Sequence, residues 1–218
     1  SDLGVTAMNP VLVYDTETTG LPLFSEPSEH PDQPHIVQLA AILIDTDTEQ
    51  DIASMNVIVR PNGWTIPDDV AKVHGITQDH AMAVGIPEEL ALYMFMELWM
   101  GRLRIAHNES FDARIIRIAL KRHHDPREES LATPPSDVWK ASTAECTARM
   151  STPILNLPPT EKMIAAGRRH AKTPNLGEAY QHFAGKPLQN AHNAMADVQA
   201  CKFIYLAMRK AAKIAEAA

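Results

Sequence analysis

Cysteine is scarce in this chain. Its 218 residues include only Cys146 and Cys201, which are far apart, and neither belongs to a CxxC pair. Disulfide frameworks and cysteine zinc sites need more cysteines at closer spacing, so the sequence excludes both. Such cysteine usage is typical of a reducing compartment, and we expect the protein to be cytoplasmic.

Positive charge and long apolar runs are also lacking. The formal net charge is −7, which argues against a protein that coats duplex nucleic acid, because such binding depends on Lys and Arg neutralising phosphates. No apolar run reaches the roughly 20 residues of a membrane span, so we expect no membrane partner. The first residues, SDLGVTA, do not resemble a signal peptide. We predict a tail over 1–10, partly vector-derived if Met8 is the natural start.

The patterns that are present predict one α/β domain over 11–212, since 45% hydrophobic residues suffice for one sizeable core. Strands are predicted at 11–17, 36–45, 52–61 and 103–107, the second and third forming a hairpin. Helices are predicted at 67–75, 77–85, 86–101, 110–124, 142–150 and 174–185, and from Asn193 onward. The proline-rich segment 21–34 and most of 125–160 are predicted to be irregular.

Two acids stand at the end of the first strand, in VLVYDTETTG. Because side chains alternate along a strand, Asp15 and Glu17 project to the same side, about 6.5–7 Å apart. Two ionised carboxylates so close repel unless a cation lies between them. Alone, the pattern is more typical of a strand that has ended with its acids in water.

Two helices also carry an acid on the face that the apolar pattern predicts to be buried. Asp197 lies in the apolar stripe of the last helix, with Ala194, Cys201, Ile204 and Met208. Asp112 lies in line with Ile115, Ile116 and Ala119, in a helix that Asn108 or Ser110 could cap. A shared cation cluster explains these inward acids more simply than unrelated placements of each acid do. An alternative for Asp197 is a slightly rotated helix, which would expose its carboxylate to water. Carboxylates without clustered Cys or His favour Mg²⁺ or Mn²⁺ over zinc.

One histidine is placed to act beside these acids. His192 precedes Asp197 by five residues, which is about 140° around a continuous helix, so both cannot face one site from the helix itself. If Asn193 caps the helix, His192 lies on the preceding loop and can turn toward the acids. Imidazole is the natural base near neutral pH.

Together, DTETTG at 15–20, HNESFD at 107–112 and HNAMAD at 192–197 resemble the motifs of the DEDDh 3′-to-5′ exonucleases. This family includes the proofreading subunit of the bacterial replicative polymerase, ribonuclease T and oligoribonuclease. The resemblance implies a ribonuclease H-like α/β fold, with a mixed sheet of about five strands flanked by helices. It also implies that Asp15, Glu17, Asp112 and Asp197 hold two divalent cations, Mg²⁺ or Mn²⁺, and that His192 deprotonates the attacking water.

The resemblance extends to substrate contacts. VAKVHGIT, at 70–77, is similar to a segment that lines the pocket for the terminal nucleotide in proofreading relatives, with Asp69 standing where those relatives have a Glu. Glu17 and Thr18 would meet the terminal 3′-hydroxyl. The substrate-binding residues implied in this way are Thr16, Thr18, Asp69, His74, Asn108 and Phe111.

The activity implied is metal-dependent removal of nucleoside 5′-monophosphates from the 3′ end of single-stranded nucleic acid, DNA rather than RNA. A polymerase or a second copy of the chain are further expected partners. Three alternatives stay open. They are a catalytically weak nucleic-acid-binding module, a polymerase-associated subunit, and a phosphodiesterase for dinucleotides or cyclic nucleotides.

Overall fold

The computed structural model describes residues 8–124 and 133–216, which contain five strands and nine helices. The strands are β1 Pro10–Thr18, β2 Ile36–Asp45, β3 Asp51–Ile58, β4 Arg104–Ala106 and β5 Ala144–Cys146. The helices are α1 Asp68–His74, α2 Gln78–Val84, α3 Glu88–Trp99, α4 Glu109–Arg122, α5 Pro135–Ala141, α6 Thr147–Leu155, α7 Glu161–Ala165, α8 Leu176–Ala184 and α9 Ala194–Glu216. None of the helices in these ranges has the length and apolar character needed to cross a membrane.

The strands form one mixed sheet in the order β3-β2-β1-β4-β5. The first three strands along the chain pair antiparallel, as the predicted hairpin requires, and β4 and β5 run parallel to β1. The expected five-stranded ribonuclease H-like sheet is therefore confirmed. Because β1 and β4 are parallel neighbours, their carboxyl ends meet at one edge of the sheet.

The alternation of side chains along β1 divides the core into two layers. Leu12 and Tyr14 pack on one face, against α3, α4 and Trp139 of α5. Val11 and Val13 pack on the other, against the apolar stripe of α9. Asp15 and Glu17 continue the second series, so the strand periodicity directs both acids toward α9.

One segment differs from the sequence prediction. The single helix expected at 142–150 is wrong, because Ala144–Cys146 is strand β5 and helix α6 begins only at Thr147. Three residues are too few for a strand pattern, and β5 exists because it pairs with β4. Helix α5 likewise lies where irregular structure is predicted, α7 lies where no element is predicted, and 125–132 lies outside the described residues.

Candidate active site

The first two acids project from the carboxyl end of β1. In the antiparallel register Asp15 lies opposite Ala40 of β2, and Glu17 lies opposite Gln38. Asp15 and Glu17 as whole residues are partly exposed, while the strand residues before them are buried. The strand therefore carries its acids from the core to an accessible edge.

Asp112 reaches the same edge from the first turn of α4 and is 3% exposed. Its Oδ1 accepts hydrogen bonds from the backbone N–H of Thr16 at 3.0 Å and from the Thr16 hydroxyl at 2.7 Å. Thr16 lies between Asp15 and Glu17 in β1, so these bonds tie the third acid to the first two. The expected side-chain cap of α4 is wrong, because Asn108 has left-handed backbone (φ 64°) and its side chain caps nothing.

Asp197 comes from the first turn of α9 and is 8% exposed. Its Oδ2 accepts the backbone N–H of His192 at 3.1 Å, and Asn193 caps the helix by accepting the N–H of Ala196 at 3.2 Å. His192 lies on the preceding loop with a left-handed φ of 65° and an exposed side chain. This loop position is the one that the sequence predicts for the histidine.

The electrostatics of the four acids show that they face one another. Burial raises the pKa of Asp15 well above its ordinary value, and the charges of Asp112, Asp197 and Glu17 raise it further. Burial, followed by the charges of Asp197 and Asp112, raises the pKa of Glu17 to about 8. Burial also raises the pKa of Asp112 to about 7, against the bonds from Thr16, and that of Asp197 to about 6, against the N–H of His192.

These residues fit a divalent cation. The Oδ1 atom of Asp197 is buried and has no hydrogen-bond partner among the described residues, which leaves a carboxylate oxygen available as a ligand. One ligand atom each from Glu17, His192 and Asp197 lies within 4.8 Å of the others. Four carboxylates gathered at one edge of the sheet form the donor set that hard cations prefer.

A recess of about 490 Å³ opens beside His192 and includes His74 in its lining. His74 ends α1, where Gly75 takes a left-handed φ of 77°. Its Nδ1 accepts the N–H of Ile76 at 3.1 Å, and its buried Nε2 has no partner within the described ranges. Burial, and then the charge of His192, lower the pKa of His74. The structure thus brings His74 next to the candidate base.

The other predicted substrate residues are placed differently. Thr16 is buried and uses its hydroxyl to hold Asp112, and Thr18 donates its hydroxyl to the Gly20 carbonyl at 2.8 Å. Asn108 is exposed beside the first turn of α4, and Phe111 is partly buried against the core. Asp69 is exposed on α1 and does not line the recess of His74. Contacts of these residues with substrate stay predictions.

Sequence reasoning missed Gln38, which positions α9. Its Oε1 accepts the N–H of Ala194 at 3.1 Å, and its Nε2 donates to Asn56 at 2.9 Å. Gln38 lies in β2 opposite Glu17, so it joins the start of α9 to the strand that pairs with β1. The available signal was an amide side chain inside the otherwise apolar run IVQLAAIL.

Comparison with known families agrees with this geometry. The family model described as Exonuclease, of the ribonuclease T type, matches residues 12–205. The chain belongs to this exonuclease family, and its motifs make it a 3′-to-5′ exonuclease domain of the DEDDh type. No curated protein matches the sequence.

Solved structures show the same fold at low identity. E. coli Exonuclease I in complex with a dT13 oligonucleotide superposes with a TM-score of 0.66 at 18% identity, covering 91% of this chain and 40% of that one. The zinc-bound E. coli enzyme in complex with single-stranded DNA has a TM-score of 0.63 at 19% identity, covering 94% and 41%. A moderately thermophilic Exonuclease I from Methylocaldum szegediense has a TM-score of 0.62 at 19% identity, covering 92% and 40%. This chain spans about two fifths of their length.

Proposed function

We propose that this chain hydrolyses phosphodiester bonds at the 3′ end of single-stranded nucleic acid and releases nucleoside 5′-monophosphates. The observation that carries the proposal is the meeting of Asp15, Glu17, Asp112 and Asp197 beside His192, with one Asp197 oxygen buried and free of partners among the described residues. DNA is the proposed substrate, because Exonuclease I structures of the same fold hold single-stranded DNA.

Two divalent cations, Mg²⁺ or Mn²⁺, are the proposed cofactors, and the four acids are their proposed ligands. Bound there, such cations would stabilise charge on the attacked phosphate and on the attacking and leaving oxygens. The four acids would also be relieved of their mutual repulsion, which explains why the fold tolerates them so close together.

The side chains around the acids have distinct proposed roles. His192 takes the proton of the attacking water, since its imidazole is exposed on a loop that Asp197 fixes through the backbone. Glu17 and the backbone of Thr18 meet the terminal 3′-hydroxyl, which would restrict the reaction to chain ends. His74 contacts the terminal nucleotide from the recess.

A direct assay tests the proposal. Matched DNA and RNA oligonucleotides, single-stranded and mispaired, are incubated with Mg²⁺, with Mn²⁺ and then with a chelator. We expect stepwise shortening of DNA from the 3′ end, loss of the reaction with the chelator, and protection by a blocked 3′ terminus. Unchanged degradation of the blocked strand would rule out end recognition, and an inert protein would favour a binding module.

The organisation of the protein is also part of the proposal. We assign the activity to one domain over 11–212, acting on single-stranded 3′ ends in the cytoplasm. A polymerase or a second copy of the chain are the proposed protein partners. Copurification and the mass of the protein in solution distinguish a free-standing enzyme from a subunit.

A further inference from the structure

A groove of about 940 Å³ runs along one face of α9, between the loop that precedes this helix and the turn between β2 and β3. One wall is the loop between α8 and α9, which begins with Lys186, and the floor includes Tyr180 of α8. The face of α9 toward the groove carries Lys202, Phe203 and Lys210. None of these side chains has a role in the reaction proposed above.

The groove concentrates positive charge in a chain whose net charge is −7. Three lysines line it, with Glu49 as the opposing acid. Lys202 pairs with Asp51 at 2.9 Å, whereas Lys186 and Lys210 form no ion pair with any residue that the structure describes. Two ammonium groups are therefore available to an anionic ligand.

Aromatic rings line the groove together with these charges. Tyr180 and Phe203 contact each other across α8 and α9, with ring centroids 5.5 Å apart and planes inclined by 56°. The side of this pair toward the groove is accessible, since Phe203 is 41% exposed. Lysines with interleaved aromatic rings are the combination that binds single strands without reading their sequence, because phosphates meet the charges and bases stack on the rings.

The groove adjoins the active-site recess. Residues 186–189 line the groove, the next four residues line the recess that contains His74 and His192, and Ala196 lines both. From Ala196 to Lys210, 14 residues of helix extend about 21 Å at 1.5 Å per residue. A strand with its 3′ end in the recess can thus continue along α9.

We propose that this groove binds the part of a single strand that lies upstream of the 3′-terminal nucleotide. A base stacks on Phe203 beside Tyr180, and backbone phosphates contact Lys186 and Lys210. The inference rests on the proposed function for its direction along the strand. It adds a binding surface whose contribution depends on substrate length.

The first test compares short and long substrates. In Phe203→Ala we expect KM for a 12-nucleotide DNA strand to rise about tenfold, within the range for losing one stacked base, while kcat and all constants for a dinucleotide stay unchanged. A dinucleotide serves as the internal control because Phe203 lies seven helical residues, about 10.5 Å, beyond Ala196 at the edge of the recess, too far for its single upstream nucleotide. Phe203→Leu, which keeps an apolar side chain but removes the ring, replaces the alanine variant if the latter melts at a lower temperature.

The second test addresses the lysines through salt dependence. The second variant carries both Lys186→Gln and Lys210→Gln. The logarithm of its binding constant for the 12-nucleotide strand should depend less steeply on the logarithm of salt concentration, by about 1.4 in slope, since each phosphate that a lysine neutralises contributes about 0.7. Lys213→Gln is the matched control, since Lys213 is exposed on the same helix and does not line the groove. Its slope should equal that of the unmodified protein.

Equal effects on the dinucleotide and the 12-nucleotide strand, or no effect on either, would overturn the inference. Failure of the proposed function looks different, because the unmodified protein would then cleave no oligonucleotide of any length. In that case fluorescence anisotropy with a labelled 12-nucleotide strand still tests the groove. Weaker binding by Phe203→Ala and by the double lysine variant supports the inference. Unchanged binding rejects it and assigns the groove to another ligand.

Discussion

Two regions of this molecule bury carboxylates in opposite electrostatic surroundings. At the carboxyl end of β1, Asp15 and Glu17 meet Asp112 and Asp197, and burial raises the pKa of all four, with the charges of the other acids raising those of Asp15 and Glu17 further. At the start of α3 a single acid, Glu88, is 6% exposed. It belongs to a different kind of site.

Glu88 is surrounded by donors. His123 Nε2 lies 2.8 Å and His35 Nδ1 3.3 Å from its Oε2, Arg122 donates to both oxygens at 3.2 and 3.3 Å, and the N–H of Ile36 donates at 3.0 Å. Burial alone would raise the pKa of Glu88, but the bonds from His123 and His35, the charge of Arg122 and the N–H of Ile36 together lower it. This acid links α3 and α4 to the start of β2.

The difference between the regions separates structural from functional charge. A buried acid that serves the fold recruits enough donors to stay ionised, as Glu88 does. The acids at the end of β1 have too few donors for their charge, which costs stability unless a cation is bound. Unbalanced charge of this kind marks a functional site.

The largest expected effect is on turnover. In Asp15→Asn we expect the rate to fall about 10³-fold, the size associated with losing a group that stabilises transition-state charge. The metal-free protein should be at least as stable as before, because a neutral amide removes repulsion. Initial rates and urea unfolding check both parts, with Asp79→Asn on exposed α2 as control. Loss of stability together with activity would mean that Asp15 resembles Glu88.

Two histidines, one in each region, give the next contrast. His192→Ala should lower kcat about 10²-fold, as expected for loss of a general base, without weakening Mg²⁺ binding measured by calorimetry. His123→Ala should leave kcat intact and lower the unfolding free energy. A large fall in metal affinity for His192→Ala would instead make His192 a ligand, an assignment that its 4.8 Å grouping with Glu17 and Asp197 permits.

Glu88→Gln tests the structural acid itself. We expect the free energy of unfolding to fall by about 2–3 kcal/mol, less than for a fully buried ion pair because Arg122 and His123 are 21% and 28% exposed. Activity well below the melting temperature should be retained. Urea unfolding measures the change, and a loss of kcat in fully folded protein would contradict the division into two regions.

The smallest expected effect is a change of folding stability with pH, which has opposite signs for the two sets of carboxylates. The pKa values of Glu17, Asp112 and Asp197, about 8, 7 and 6, exceed those of the unfolded chain, about 4. The metal-free folded state therefore binds more protons than the unfolded chain between pH 4 and 8, and its stability falls as pH rises through this range. The lowered pKa of Glu88 makes stability fall instead as pH drops below about 4.

Urea unfolding at several pH values, with chelator and with Mg²⁺, measures both changes in stability. Bound cation should reduce the fall in stability between pH 4 and 8 and leave the fall below about pH 4 unchanged. If the cation altered only the fall below about pH 4, the two sets of carboxylates would have been assigned to the wrong regions.

Local periodicity made much of the active site predictable. Alternation along β1 placed Asp15 and Glu17 on one side, and helical spacing placed Asp112 and Asp197 on buried faces. The same reasoning could not find Glu88, because its partners are 34–53 residues away in sequence. It also missed β5, whose three residues become a strand only beside β4.

The sequence by itself determined the direction of each acid, because side-chain direction follows from the repeat of the local backbone, which neighbouring residues set. Only the tertiary structure decided that the acids meet, that Thr16 holds Asp112, and that a lysine-lined groove continues from the recess. Those features depend on the parallel pairing of β1 with β4 and on the docking of α9. Both bring together residues far apart in the chain, through long-range packing that local sequence patterns do not specify.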